Sequence, residues 1–141
     1  MKVLVDTCAW SLLLRRRNKT ALGSREQAIQ NSLREAIQDG RVTLVGPIRQ
    51  EVLSGIKDPA QFEKLRTALS AFPDVTLAVS HYEEAARLFN LCRSRSTECG
   101  ATDILMCAVA SRMGWSILTC DKGLERCIQT LRAEGILIDF L

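Results

Sequence analysis

The chain has 141 residues, which is one domain's worth: enough for a single continuous core and too few for two ordinary domains. It is 47% hydrophobic and 25% charged, which excludes a disordered or fibrous chain, and no apolar run approaches the roughly 18 residues of a membrane span. A net charge of +3 is too small to imply nucleic-acid binding by itself, and the short apolar stretch before Asp6 lacks the length and cleavage site of a signal peptide, so the expectation is a single cytoplasmic domain over residues 1–141.

Val3-Leu4-Val5 reads as a short strand ending at Asp6. Residues 7–16 follow, with Trp10, Leu13 and Leu14 at helical spacing. A basic break holds Arg15, Arg16, Arg17 and Lys19 and ends near Gly23. Ser24 and Gln27 match a capping box, in which each side chain satisfies a free amide. The helix it opens carries Ile29, Leu33, Ala36 and Ile37 on one face and stops at Asp39-Gly40. Residues 42–45 form a second predicted strand, and Gly46-Pro47 then opens a helix with proline at its first position. Asp58-Pro59 breaks the chain before an amphipathic helix through Phe62, Leu65, Leu69 and Phe72.

Residues 75–79 read as a third strand. Ser80-His81-Tyr82-Glu83 reads as a second capping box, opening a helix with Tyr82, Ala85, Ala86, Phe89 and Cys92 on one stripe. Residues 93–100 are polar. The helix predicted over 102–113 is apolar nearly all round, which implies a central position, and Gly114 ends it. Residues 116–119 are a fourth strand, 122–133 a helix and 136–138 a fifth strand. Short strands alternating with helices imply crossovers and a parallel sheet covered on both faces.

Six cysteines (Cys8, Cys92, Cys99, Cys107, Cys120, Cys127) contain no C-x-x-C pair, and the single His81 is too few for a Cys₂His₂ zinc site. They read as small buried thiols.

Sites in an open parallel sheet form at the carboxyl ends of the strands. Asp6 directly follows the first strand and Asp121 lies two residues past the fourth. Each alone also fits a helix cap. Glu51 lies on the same helix face as Ile48 and Val52, where a carboxylate needs something to compensate its charge. Asp103 opens the apolar helix, whose N-terminus falls near the strand ends and within reach of Asp6. Four carboxylates in one cleft raise one another's pKa values, and a hard divalent cation with oxygen ligands relieves that repulsion. Such a site activates water and neutralises charge on a phosphodiester. Arg15, Arg16, Arg17 and Lys19, with Arg87, Arg93 and Arg95, would supply a basic rim for a phosphate-bearing substrate.

Four motifs stand in order. They are Val3-Leu4-Val5-Asp6-Thr7 with Trp10, Pro47-x-x-x-Glu51-x-x-x-Gly55, Thr102-Asp103-x-x-x-Cys107-Ala108-x-Ala110 and Leu118-Thr119-x-Asp121. With them the chain resembles, nearly end to end, a PIN-domain ribonuclease, and in particular the VapC toxin of the VapBC toxin–antitoxin type. The resemblance implies a PIN-like α/β/α sandwich with a mostly parallel five-stranded central sheet. It implies Mg²⁺- or Mn²⁺-dependent endonucleolytic cleavage of RNA, with Asp6 and Asp103 as direct metal ligands. Glu51 and Asp121 would complete the acidic cluster, and Thr7 and Thr119 would be its accompanying hydroxyls. It also implies a homodimer and a small cognate antitoxin that blocks the cleft. Leu124 departs from the aromatic that many relatives carry, and Cys8, Cys107 and Cys120 stand where other small residues are usual.

Two other readings remain at this point. Asp6 is a phosphoryl-accepting nucleophile in the first, although position 8, where such sites want a second acid, is Cys8. The second is a non-catalytic PIN-fold binding module.

Overall fold

In the computed structural model, which describes residues 1–14 and 22–141, four strands form one parallel sheet: β1 (Val3–Val5), β2 (Val42–Thr43), β3 (Ser116–Leu118) and β4 (Asp139–Phe140). Their spatial order is β2-β1-β3-β4. Val3 pairs with Val42 on one side and Ser116 on the other, and Val5 pairs with Leu118. The chain therefore steps outward to β2 after β1 and outward to β4 after β3. The reversal lies between the two central strands, and their carboxyl ends open a crevice there.

Seven helices surround the sheet among the described residues: α1 (Thr7–Leu14), α2 (Ser24–Gln38), α3 (Gly46–Leu53), α4 (Pro59–Leu69), α5 (Val79–Ser94), α6 (Ala101–Met113) and α7 (Lys122–Ala133). Every residue of α6 from Ile104 to Ala110 is buried, which agrees with its uniformly apolar sequence. Trp10, Leu33, Leu44, Ile48, Leu69, Ile117 and Leu131 fill the rest of one continuous core. Asp58 caps α4 by accepting from Ala60 N at 3.3 Å, and Pro47 and Pro59 sit in the first turns of their helices, where no intrahelical donor is lost.

Four expectations need correction. Residues 75–79 do not form a strand: this segment touches the sheet edge only through a bridge between Leu44 and Asp74, and Val79 already begins α5. Among the described residues the sheet thus has four strands rather than five. The last strand lies at Asp139–Phe140 rather than 136–138, because Asp139 is the residue in register with Ser116. Neither expected capping box forms. Gly23 precedes α2 without a side-chain cap, and α5 is capped at Ala78 rather than Ser80, two residues early, where His81 Nδ1 accepts from Ala78 N at 2.9 Å. The buried stripe of α5 is Ala85, Leu88 and Cys92, while Tyr82 and Phe89 are exposed. These two aromatics line an open apolar groove of about 380 Å³ with Pro47, Thr102 and Leu105.

The cysteines also divide. Cys92 and Cys107 are buried free thiols, as expected, but Cys99 and Cys127 are joined by a disulfide. Their Cα atoms lie 6.0 Å apart, inside the usual range for that bond, and a pairing 28 residues apart leaves no trace in spacing alone.

Gly114 closes α6 in the left-handed region, at φ 69° and ψ 34°. A side chain there is strained by about 1–2 kcal/mol. Gly114→Ala is accordingly expected to lower the unfolding free energy by that amount in urea titration.

Candidate metal centre

The ends of β1 and β3 place the first two groups. Asp6 N donates to Leu118 O at 2.9 Å, so sheet pairing runs one residue beyond β1 and fixes the Asp6 backbone. Its side chain then turns back to cap α1, with Thr7 N donating to Oδ1 at 2.8 Å. Capping and clustering are thus two uses of one carboxylate, which is only 5% exposed.

Thr119 joins two of the acids. Its hydroxyl donates to Asp6 Oδ2 at 2.8 Å and accepts from Asp121 N at 2.9 Å. Asp121 is exposed and caps α7, taking Gly123 N on Oδ1 at 2.9 Å. Asp103 stands in the first turn of α6, half-buried. Oxygens of Asp6, Asp103 and Asp121 all lie within 4.8 Å of one another.

Glu51 is placed differently from the expectation. It is exposed at the rim of α3 rather than facing the core, because Ile48 and Val52 take the buried positions. It lies outside the close group of three acids, yet Thr7 Oγ1 donates to its Oε2 at 2.8 Å and so holds it toward the end of β1. Arg15, Arg16, Arg17 and Lys19 fall outside the described residues. Arg87 pairs with Glu84 at 3.0 Å, Arg95 pairs with Glu134, and Arg93 is exposed on the last turn of α5.

Electrostatics follow from the crowding. Burial pushes the Asp103 carboxyl up to about 6, assisted by the charges of Asp6, Asp121 and Glu51. Asp6 is also raised, chiefly by burial, with hydrogen bonds from Thr119, Thr7 and Cys8 opposing the shift and Asp121 adding to it. Three anionic groups held this close are strained as they stand. The close donors are all carboxylate oxygens, a set that suits a hard divalent cation such as Mg²⁺ or Mn²⁺.

Cys8 is the residue that sequence reasoning missed. Its thiol donates to Asp6 Oδ2 at 3.5 Å, lies 3.5 Å from Thr119 Oγ1 and accepts from Cys120 N at 3.0 Å. Its position two residues after Asp6, in the first turn of a helix capped by that acid, was the available signal. Burial and the adjoining Cys8 thiol push Cys120 up to about 12, which makes it a slow nucleophile at neutral pH.

Thr119→Val tests the bridge. It removes one donor from Asp6 and leaves Asp121 N without its acceptor. Groups that orient metal ligands are typically worth 10–100-fold in affinity. Calorimetric titration is expected to show Mn²⁺ binding weakened by about tenfold or more, with a stability loss of about 1–3 kcal/mol.

Comparison with known proteins agrees with this architecture. The family model described as PIN domain matches residues 3–127. A crystal structure of FitAcB from Neisseria gonorrhoeae superposes with a TM-score of 0.64 at 18% identity, over 99% of this chain and 96% of that one. At that identity the likeness is one of fold. No curated protein matches the chain. With a model match that runs from the first strand into the last helix, the chain belongs to the PIN-domain family.

Proposed function

We propose that the protein is a divalent-metal-dependent endoribonuclease, the toxin component of a type II toxin–antitoxin pair. PIN domains are generally nucleases, and membership of that family supports the reaction class. The observation that carries the reading is the group of Asp6, Asp103 and Asp121 oxygens within 4.8 Å at the carboxyl ends of the two central strands. Asp6 and Asp103 would hold Mg²⁺ or Mn²⁺ directly, and Asp121 and Glu51 would extend the acidic surface. When bound, the cation supplies a Lewis acid and a more acidic water for attack on a phosphodiester.

The chain's own residues have defined tasks in this reading. Thr119 and Thr7 N orient the Asp6 carboxylate, Thr7 Oγ1 steadies Glu51, and α6 delivers Asp103 from a rigid buried helix. Arg93 and the basic residues at 15–17 and 19 are assigned to the RNA backbone, whereas Arg95 is engaged by Glu134. A cognate antitoxin would occlude the cleft by bringing a cation, most simply an arginine, against the acids. The functional unit is assigned as a homodimer. A phosphoryl-accepting Asp6 gains nothing from the structure: position 8 offers a thiol that donates to Asp6, not a second acid.

Incubation of the purified protein with total RNA tests the proposal. Discrete new RNA ends are expected with Mn²⁺ or Mg²⁺ and none with EDTA, and sequencing those ends identifies the substrate. Intact RNA under every metal condition would overturn it.

A further inference from the structure

Of the four free thiols, Cys92 and Cys107 are buried, whereas Cys8 and Cys120 are half-buried and adjoin each other. They are 112 residues apart in sequence, one at the β1–α1 junction and the other at the β3–α7 junction. Cys8 Sγ lies 3.0 Å from Cys120 N, so the Cys8 thiol already rests against the residue it would bond. Both line one cavity of about 700 Å³, with Ser11, Leu12, Ser24 and Arg25. That cavity gives small solutes a route to the pair.

We propose that Cys8 and Cys120 are an oxidative modification site, which a peroxide converts to an intramolecular disulfide that withdraws Cys8 from Asp6. The chemistry balances with one peroxide. One thiol attacks a peroxide oxygen: an S–O bond forms, the O–O bond breaks, and the displaced hydroxide takes the thiol proton to leave as water. The second thiol attacks the resulting sulfenic sulfur. The S–S bond forms, and the sulfenic oxygen leaves as a second water with the proton of that thiol. Two sulfurs are oxidised and two peroxide oxygens are reduced.

The consequence is local. A disulfide sulfur has no proton, so Asp6 Oδ2 loses the Cys8 donor, and Thr119, which touches both Cys8 and Asp6, loses a neighbour of its present geometry. Oxidation is therefore expected to weaken cation binding at Asp6 and Asp103. This second half rests on the proposed metal site, and the first half does not.

The test is peptide mapping of the whole protein by mass spectrometry after prolonged exposure to hydrogen peroxide. A linked pair of peptides carrying Cys8 and Cys120, lighter by two hydrogens and released by dithiothreitol, is expected beside the Cys99–Cys127 pair. Mn²⁺ titration of the same samples is expected to show affinity at least about tenfold weaker after oxidation, restored by reductant. Cys120→Ala is expected to show neither change. No linked peptide, or a sulfinic acid on Cys8 alone, overturns the site whatever the variant does. A linked peptide with unchanged Mn²⁺ affinity overturns the coupling. A reduced protein that never binds Mn²⁺ sinks the metal site and the coupling together, while the peptide map still decides the thiol chemistry.

Discussion

Asp103→Asn is expected to abolish metal-dependent RNA cleavage while making the metal-free protein more stable. The two effects have one cause. Asp103 is held half-buried beside three other acids, and its carboxyl is raised from 3.8 to about 6. A carboxyl whose folded pKa is raised destabilises the fold in its charged form. The penalty is fully present above about pH 6 and is relieved as pH falls from there toward 3.8. At about 1.4 kcal/mol per pKa unit, and allowing for partial exposure, the asparagine recovers about 1–3 kcal/mol at pH 7. Loss of a direct ligand is expected to reduce cleavage by at least about 100-fold. Asp6→Asn is expected to lose cleavage likewise. Thermal unfolding in EDTA with RNA-cleavage assays checks both halves, and a variant that cuts RNA normally refutes the ligand assignment. Wild-type protein in EDTA is further expected to gain stability between pH 7 and 5, and in Mn²⁺ to lose metal affinity over the same interval as protons compete for the acids.

The second large effect is expected at Trp10. The side chain is wholly buried and its ring meets Phe72 at 5.0 Å with the planes tilted by 49°. It ties α1 to the segment after α4. Truncation to alanine leaves a cavity too large for the surroundings to fill, at a cost of about 3–5 kcal/mol. For a domain this size that lowers the melting temperature by on the order of 10 °C. Trp10→Phe is expected to cost much less. It keeps most of the ring contact, and it removes an indole N–H that has no partner among the described residues. Differential scanning calorimetry separates the two, and equal losses would show that volume is not the cause.

Much of the acidic site is legible in the amino-acid order. Asp6, Asp103 and Asp121 each sit at a boundary that local rules identify: the end of an apolar run, the first turn of an all-apolar helix, and an aspartate opening an amphipathic one. The central place of α6 follows from its composition, since a helix apolar all round has no face to give to water. Other features depend on partners distant in sequence. Residues 75–79 have strand composition, but the sheet edge offers them a single bridge at Leu44, and backbone pairing is decided by what lies alongside. Glu51 shares a helical face with Ile48 and Val52, and only the packing of α3 shows that this face runs out at its position. The same limit applies to the cysteines. Spacing says nothing of which thiols meet: the Cys99–Cys127 bond joins the segment before α6 to α7 across 28 residues, and Cys8 meets Cys120, 112 residues away, only because the ends of β1 and β3 lie side by side. The sequence by itself determined the alternation of elements and which acids end them, because those depend on neighbours within a turn or two. Tertiary structure alone decided how close the acids come and what touches them, because the register of β1 against β3 sets Asp6 beside Asp121 while the packing of α6 and α3 brings up Asp103 and Glu51.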